Sequence, residues 1–95
     1  MDVTEAGGIL DQQIGSLRER PYSELKQLVE GRLIQILEIV GASGARYCVE
    51  AQAFWDSKKE TNIGVLASID DGGTRAFHPV TCDFIKAPDG SFVGE

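Results

Sequence analysis

The stretch SIDDGGTRAFHP, residues 68–79, gathers several residue types that could do chemistry. It holds two adjacent aspartates, two adjacent glycines, an arginine and the only histidine of the chain. Three kinds of site use such residues: a calcium loop, a phosphate-binding loop and a catalytic histidine–aspartate pair. Each kind of site requires its own spacing, and the spacing decides between them.

That spacing disfavours all three sites. A calcium loop alternates its oxygen ligands along the chain, whereas Asp70 and Asp71 are adjacent and would point to opposite faces of a strand. A phosphate loop leads from glycines into a helix, but Gly72 and Gly73 lead into a strand-like sequence. A catalytic pair needs hydrogen-bond reach, and the side chains of Asp71 and His78 would diverge along the strand.

A tight turn explains the same residues better. Asp-Gly between two alternating apolar runs is typical of a β-hairpin, because a type I′ turn requires positive φ at both central residues. A two-residue turn at 71–72 would place Leu66 opposite Phe77 and put His78 beside Val65 on the other face. A bulged turn that uses the second glycine would exchange Phe77 and His78.

The two cysteines suggest a second chemistry. Cys48 and Cys82 fit no metal-site spacing and are too few for a disulfide framework, so they are predicted to be small buried thiols. A bridge between them is the alternative if their strands are neighbours. On one continuous strand His78 would lie about 13 Å from Cys82, although Pro79 could bend the chain.

No residue is evidently placed to orient the imidazole of His78, as a nucleophilic dyad requires. A ligand-binding or catalytic cleft between helix and sheet, with His78, Cys82 and Asp83 as its reactive groups, remains as the alternative interpretation. Rapid alkylation of Cys82, or a lowered pKa of its thiol, would favour it.

Size and charge narrow the function classes. The chain has 95 residues, which predicts one domain over 1–95, with residues 1–7 frayed. Its net charge of −6 is spread evenly and forms no basic face, which argues against nucleic-acid binding. We expect no leader sequence, because the N-terminal MDVTEAGG is acidic, and no apolar run in the sequence approaches the ~20 residues of a membrane span. We expect a cytoplasmic protein with no membrane contact, metal or cofactor.

Helical periodicity is clearest over residues 21–40, PYSELKQLVEGRLIQILEIV. Its apolar stripe at 100° per residue predicts one long amphipathic helix. Two residues fit poorly, because Gly31 lowers helix propensity and Ile34 falls on the polar side. Residues 8–19 predict a further short helix or arm, weakened by Gly15.

The rest of the chain has the alternation of strands. Strands are predicted over residues 46–55, 63–69, 74–78 and 80–87. The fold class is therefore α+β: one long amphipathic helix, with a possible short N-terminal helix, packed on one face of a 3–4-stranded antiparallel β-meander. The second face of such a sheet is open to water or to a partner.

An apolar patch is predicted on that second face. The hairpin of residues 46–69 would bring Phe54 opposite Gly64 and diagonal to Leu66, and the next turn would add Phe77. An apolar patch of this kind usually marks an interface. In the alternative, residues 8–19 fold back and cover it.

Two functions from different classes follow. The preferred one is a non-enzymatic interaction or accessory protein that acts through Phe54, Leu66 and Phe77, as a homodimer or with a protein partner. The alternative is a small-molecule-binding or enzymatic domain with its cleft near His78 and Cys82.

Overall fold

Two helices and four strands make up the part of the chain described by a computed structural model, which covers residues 3–57, 61–71 and 80–94. In chain order they are α1 (Val3–Arg18), α2 (Tyr22–Glu30), β1 (Ile34–Val40), β2 (Arg46–Asp56), β3 (Asn62–Asp70) and β4 (Val80–Lys86). Every neighbouring strand pair is antiparallel, and the sheet order is β1-β2-β3-β4. The predicted α+β class with an antiparallel meander is confirmed.

The prediction of one long helix over residues 21–40 is wrong. Its first half is α2, which ends at Glu30, and its second half is β1. The sequence of β1, IQILEIV, is apolar at odd and even positions alike. Some of its apolar residues therefore also fit the spacing of the apolar face of a helix. Its β-branched residues favour a strand, and the poor fit of Gly31 and Ile34 to the helix marks the break.

The end of α2 is a Schellman motif. Arg32 adopts a positive φ of 52°, its N–H donates to the carbonyl of Val29 at 3.1 Å, and the N–H of Leu33 donates to the carbonyl of Leu28 at 3.0 Å. These bonds satisfy the last carbonyls of the helix. The chain then leaves the helix and enters β1.

The core lies between the two helices and one face of the sheet, which we call the inner face. α1 packs on β3 and β4, and α2 packs on β2 and β3. The buried apolar side chains are Ala6, Leu10, Ile14, Leu17, Leu25, Tyr47, Val49, Ala51, Ile63, Val65, Ala67, Ile69 and Phe84. The alternation predicted for residues 46–55 and 63–69, which form β2 and β3, therefore separates core residues from surface residues as expected.

The helix predicted within residues 8–19 exists as part of α1, which begins at Val3. Its Leu10, Ile14 and Leu17 belong to the same core as Val65. The alternative in which residues 8–19 cover the other face of the sheet is therefore wrong.

The connection between β3 and β4 departs from the predicted pairing. Leu66 lies between Gln52 on β2 and Asp83 on β4, so the pairing of Leu66 with Phe77 is wrong. The predicted turn at 71–72 and strand at 74–78 lie almost wholly outside the described residues, as do Phe77 and His78. Asp71 is exposed at the end of β3.

Glu5 fastens the first turn of α1 to the β1–β2 hairpin. Its carboxylate accepts the N–H of Ser43 at 3.0 Å, the hydroxyl of Ser43 at 2.6 Å and the hydroxyl of Tyr47 at 2.7 Å. Gly41 permits this approach, because a Cβ there would collide with the carboxylate and the Tyr47 ring. The Ser43 hydroxyl first, then Tyr47, lower the pKa of Glu5 below its ordinary 4.5.

This contact predicts a change in the acid stability of a Glu5→Gln variant. Because the folded-state pKa of Glu5 is lowered, its carboxylate stabilises the fold above the unfolded-state pKa, and the contribution is lost as pH falls through the folded-state pKa. We expect Glu5→Gln to lower Tm at neutral pH and to flatten the fall of Tm between about pH 5 and about pH 3.

Thermal unfolding followed by circular dichroism across that range measures both effects. Glu24→Gln is the matched control, since Glu24 is an exposed glutamate in the first turn of α2. Its curve should follow the wild type. Parallel curves for Glu5→Gln and the wild type would contradict the assigned role of Glu5.

Candidate interaction surface

The face of the sheet that points away from both helices, the outer face, carries a cluster of apolar side chains. We call the following residues the outer patch: Ile34, Ile36, Phe54, Leu66 and Ile85. Ile34 is 58% exposed, Ile36 65% and Phe54 43%, whereas Leu66 and Ile85 are half-buried. The patch crosses all four strands.

Cross-strand register holds the outer patch together. Phe54 pairs with Gly64, as predicted, and its ring occupies the space that a Cβ at Gly64 would need. Gly64 also pairs with Ile85 on its other side. Leu66 is the diagonal neighbour of both Phe54 and Ile85, within reach of large side chains.

Polar residues lie around and within the outer patch. Glu50, Gln52 and Ser68 share the outer face, and Gln52 pairs with Ile34 on one side and Leu66 on the other. Asp83 and Thr81 of β4 also lie there, opposite Leu66 and Ser68. Protein–protein interfaces commonly combine apolar side chains with polar ones that form hydrogen bonds to the partner.

Two of the predicted patch residues, Phe54 and Leu66, share the outer face, while Phe77 lies outside the described residues. The sequence interpretation missed Ile34 and Ile36 because it placed them in a helix. The β-branched content of IQILEIV was the signal that could have identified them. Ile85 was recoverable from the alternation of VTCDFIK.

The residues of the predicted cleft do not converge where the structure describes them. Cys82 lies on the inner face of β4 and packs against the core, whereas Asp83 points to the outer face. His78 lies outside the described residues. Cys48 and Cys82 are free thiols on opposite faces of the sheet, with β3 between their strands.

Cys48 has an environment that opposes nucleophilic chemistry. It lies on the outer face between Glu38 of β1 and Asp70 of β3, with Glu50 two residues along its own strand. Burial first, and then the charges of Asp70, Glu50 and Glu38, raise the pKa of the thiol. A raised pKa leaves less of the reactive thiolate at neutral pH.

Two grooves flank the sheet. The larger, of about 710 Å³, follows the junction of α2, β1 and β2, and Leu33, Ile34 and Phe54 contribute to its walls. It continues the outer patch around the edge of the sheet. The smaller, of about 390 Å³, contains Cys48 and Asp70. Within residues 3–57, 61–71 and 80–94, no three His, Cys, Asp or Glu side chains are grouped to hold a metal ion.

Comparisons of the chain with protein-family models, curated proteins and solved structures find no match. Neither described helix combines the length and apolar character that a membrane span requires. Since a fold by itself assigns no function, the functional inference depends on the surface of the sheet.

Proposed function

We propose that this protein is a non-enzymatic interaction or accessory protein that acts through the outer patch, by associating with a second copy of itself or with another protein. The observation that carries the proposal is that neither described helix covers the outer face. Both described helices pack on the inner face, and the outer patch crosses the opposite side of the sheet.

The energetics of burial favour this use of the outer patch. Ile34, Ile36 and Phe54 are each exposed by roughly half. Burying the exposed part of each side chain in an interface would stabilise a complex by about 1–2 kcal/mol per residue. Because Gly64 lets the Phe54 ring lie across β3, the ring can serve as an anchor without first being ordered by a partner.

The proposal includes the compartment and the class of partner. The free thiols Cys48 and Cys82 support a reducing, cytoplasmic location. A net charge of −6 disfavours binding to the phosphates of nucleic acids or to acidic membrane surfaces. The proposed partner is therefore a protein, and no cofactor takes part.

A glutamate in the outer patch tests the proposal. We expect Leu66→Glu to halve the solution mass of the associated wild type, because association would bury the new carboxylate without a partner. Size-exclusion chromatography with light scattering gives the mass, and circular dichroism checks that the variant is folded.

Gln12→Glu is the control, because it adds the same carboxylate at an exposed position of α1, on the opposite side of the sheet from the outer patch. It should keep the wild-type mass. A folded Leu66→Glu variant with the mass of an associated wild type would exclude the outer patch as the contact. A wild type with the mass of one chain at every concentration would exclude self-association.

A further inference from the structure

β1 is the edge strand of the sheet and is exposed on both of its faces. Its outer-face residues Ile34, Ile36 and Val40 are 58%, 65% and 64% exposed, and its inner-face residue Leu37 is 47% exposed. Five of the eight large apolar side chains exposed among the described residues lie between Leu33 and Val40. The large exposed apolar side chains of the described residues are thus concentrated on β1 and the residue before it.

No described strand lies beyond β1, so among the residues that the structure describes its outer edge presents unpaired backbone groups. In the hairpin after β1, the N–H of Gly41 donates to the carbonyl of Ala45 at 2.8 Å, and the same register continues through β1 and β2. Hydrogen-bonded and non-hydrogen-bonded pairs alternate along an antiparallel ladder. The backbone groups of Ile34, Ile36 and Glu38 therefore point away from β2, towards the free edge.

β1 lacks the usual protection of an edge strand. Natural edges are blunted by charges, prolines or bulges, but IQILEIV has one charge, no proline and an unbroken register. The β4 edge differs. The N–H of Val93 donates to the carbonyl of Ile85 at 2.9 Å, and Phe92 forms a bridge with Lys86. The chain thus covers part of the β4 edge with its own C-terminal segment.

We propose that β1 pairs antiparallel with β1 of a second copy of this chain, which joins two four-stranded sheets into one sheet of eight strands. The partner strand must offer a free backbone edge and apolar side chains on both faces. Among the described strands, β1 alone meets both conditions. Pairing of like edges closes a twofold dimer, whereas pairing of β1 with β4 would build an open chain of copies.

The register of this pairing follows from side-chain chemistry. In β1 the even-numbered residues lie on the outer face and the odd-numbered residues on the inner face. Even-numbered residues can therefore face only even-numbered residues of the second copy, so that the outer faces of the two sheets coincide. Full overlap of the seven residues places Leu37 opposite Leu37 of the second copy, on the twofold axis, and Ile34 opposite Val40. It also sets each Glu38 opposite Ile36, whereas a register shifted to pair the two Glu38 residues would place like charges opposite each other.

This contact goes beyond the proposed function, because it uses the edge of the sheet and not its outer face. The two contacts are therefore separable by mutation. With both contacts between copies of this chain the wild type would be larger than a dimer, with the mass of four chains where the two twofold axes are perpendicular and intersect, and loss of either contact would leave the mass of two.

Glu38→Pro and Glu38→Ala form the matched pair that tests the edge contact. Both remove the same charge, but only proline removes the N–H that points to the free edge, while the ladder to β2 keeps its bonds. We expect Glu38→Pro to halve the solution mass and Glu38→Ala to keep it. Leu37→Arg, a change at a 47% exposed side chain, should also halve the mass, and it tests the contact if the proline variant does not fold.

The outcomes separate the two proposals. A folded Glu38→Pro or Leu37→Arg variant with the mass of an associated wild type overturns the edge contact, whatever Leu66→Glu does. If Leu66→Glu alone lowers the mass, the outer-patch proposal stands and the edge proposal fails. If only the edge variants lower it, the reverse holds, and a wild type with the mass of one chain overturns both.

Cross-linking tests the register. In a background with Cys48 and Cys82 replaced by serine, Leu37→Cys should form an intermolecular disulfide with oxidised glutathione as oxidant, since two thiols would face each other at the axis. Gln35→Cys is the control, because full overlap places the two copies of position 35 about 13 Å apart. Cross-linking at position 35 and not at position 37 would overturn full overlap.

Discussion

Replacing Lys86 with methionine is expected to lower the free energy of unfolding by about 2–4 kcal/mol. Lys86 is only 7% exposed, and its ammonium group donates to the carbonyls of Arg18 at 2.8 Å and Arg20 at 2.7 Å. These carbonyls belong to the end of α1 and the turn after it, where helical partners run out. The cation also lies 5.1 Å from the centre of the Phe92 ring.

Methionine keeps most of the apolar stem of Lys86 but cannot donate a hydrogen bond. Replacement of a buried ion pair by apolar residues is often harmless because both charges leave together. Here the acceptors are backbone carbonyls, which remain in place, so the variant leaves two partly buried acceptors without their donor. The cost of unsatisfied buried groups therefore outweighs the gain from removing the ammonium.

Urea unfolding measured by circular dichroism tests this prediction. Arg46→Met is the control, because it replaces an exposed cation of β2 with the same side chain. We expect the control to stay within about 1 kcal/mol of the wild type. A Lys86→Met variant as stable as the control would show that the cap on α1 contributes little.

Leu25→Ala is expected to lower the free energy of unfolding by about 2–5 kcal/mol. Leu25 has no exposed surface and is the buried residue of α2, a helix of nine residues. A helix this short is not stable by itself in water. Leu28 and Val29 also pack against the core, and the hydroxyl of Tyr22 donates to the carbonyl of Thr61 at 2.6 Å.

Leu33→Ala makes the same substitution in the connection between α2 and β1, where the side chain is 55% exposed, so the pair compares a buried leucine with an exposed one. We expect Leu33→Ala to cost about 1 kcal/mol or less. Urea unfolding gives both values, and hydrogen exchange of the α2 amides shows whether Leu25→Ala detaches the helix locally. Equal costs for the two variants would contradict the assigned role of Leu25.

The sequence alone determined the strands that are buried on one face. β2 and β3 alternate between core and surface residues, and this period of two is a local pattern that needs no knowledge of the fold. It placed Phe54 and Leu66 on one face and paired Phe54 with Gly64 across the hairpin. It could not separate helix from strand in IQILEIV, because apolar residues at odd and even positions fit both.

Tertiary structure decided what local patterns left open. Pairing with β2, such as Ile36 with Glu50, makes residues 34–40 a strand, and this adds Ile34 and Ile36 to the outer patch. The apolar face of α1 was visible in the sequence, but not the face of the sheet that receives it. That choice depends on contacts between distant residues, Glu5 with Ser43 and Lys86 with Arg18, which no local pattern encodes.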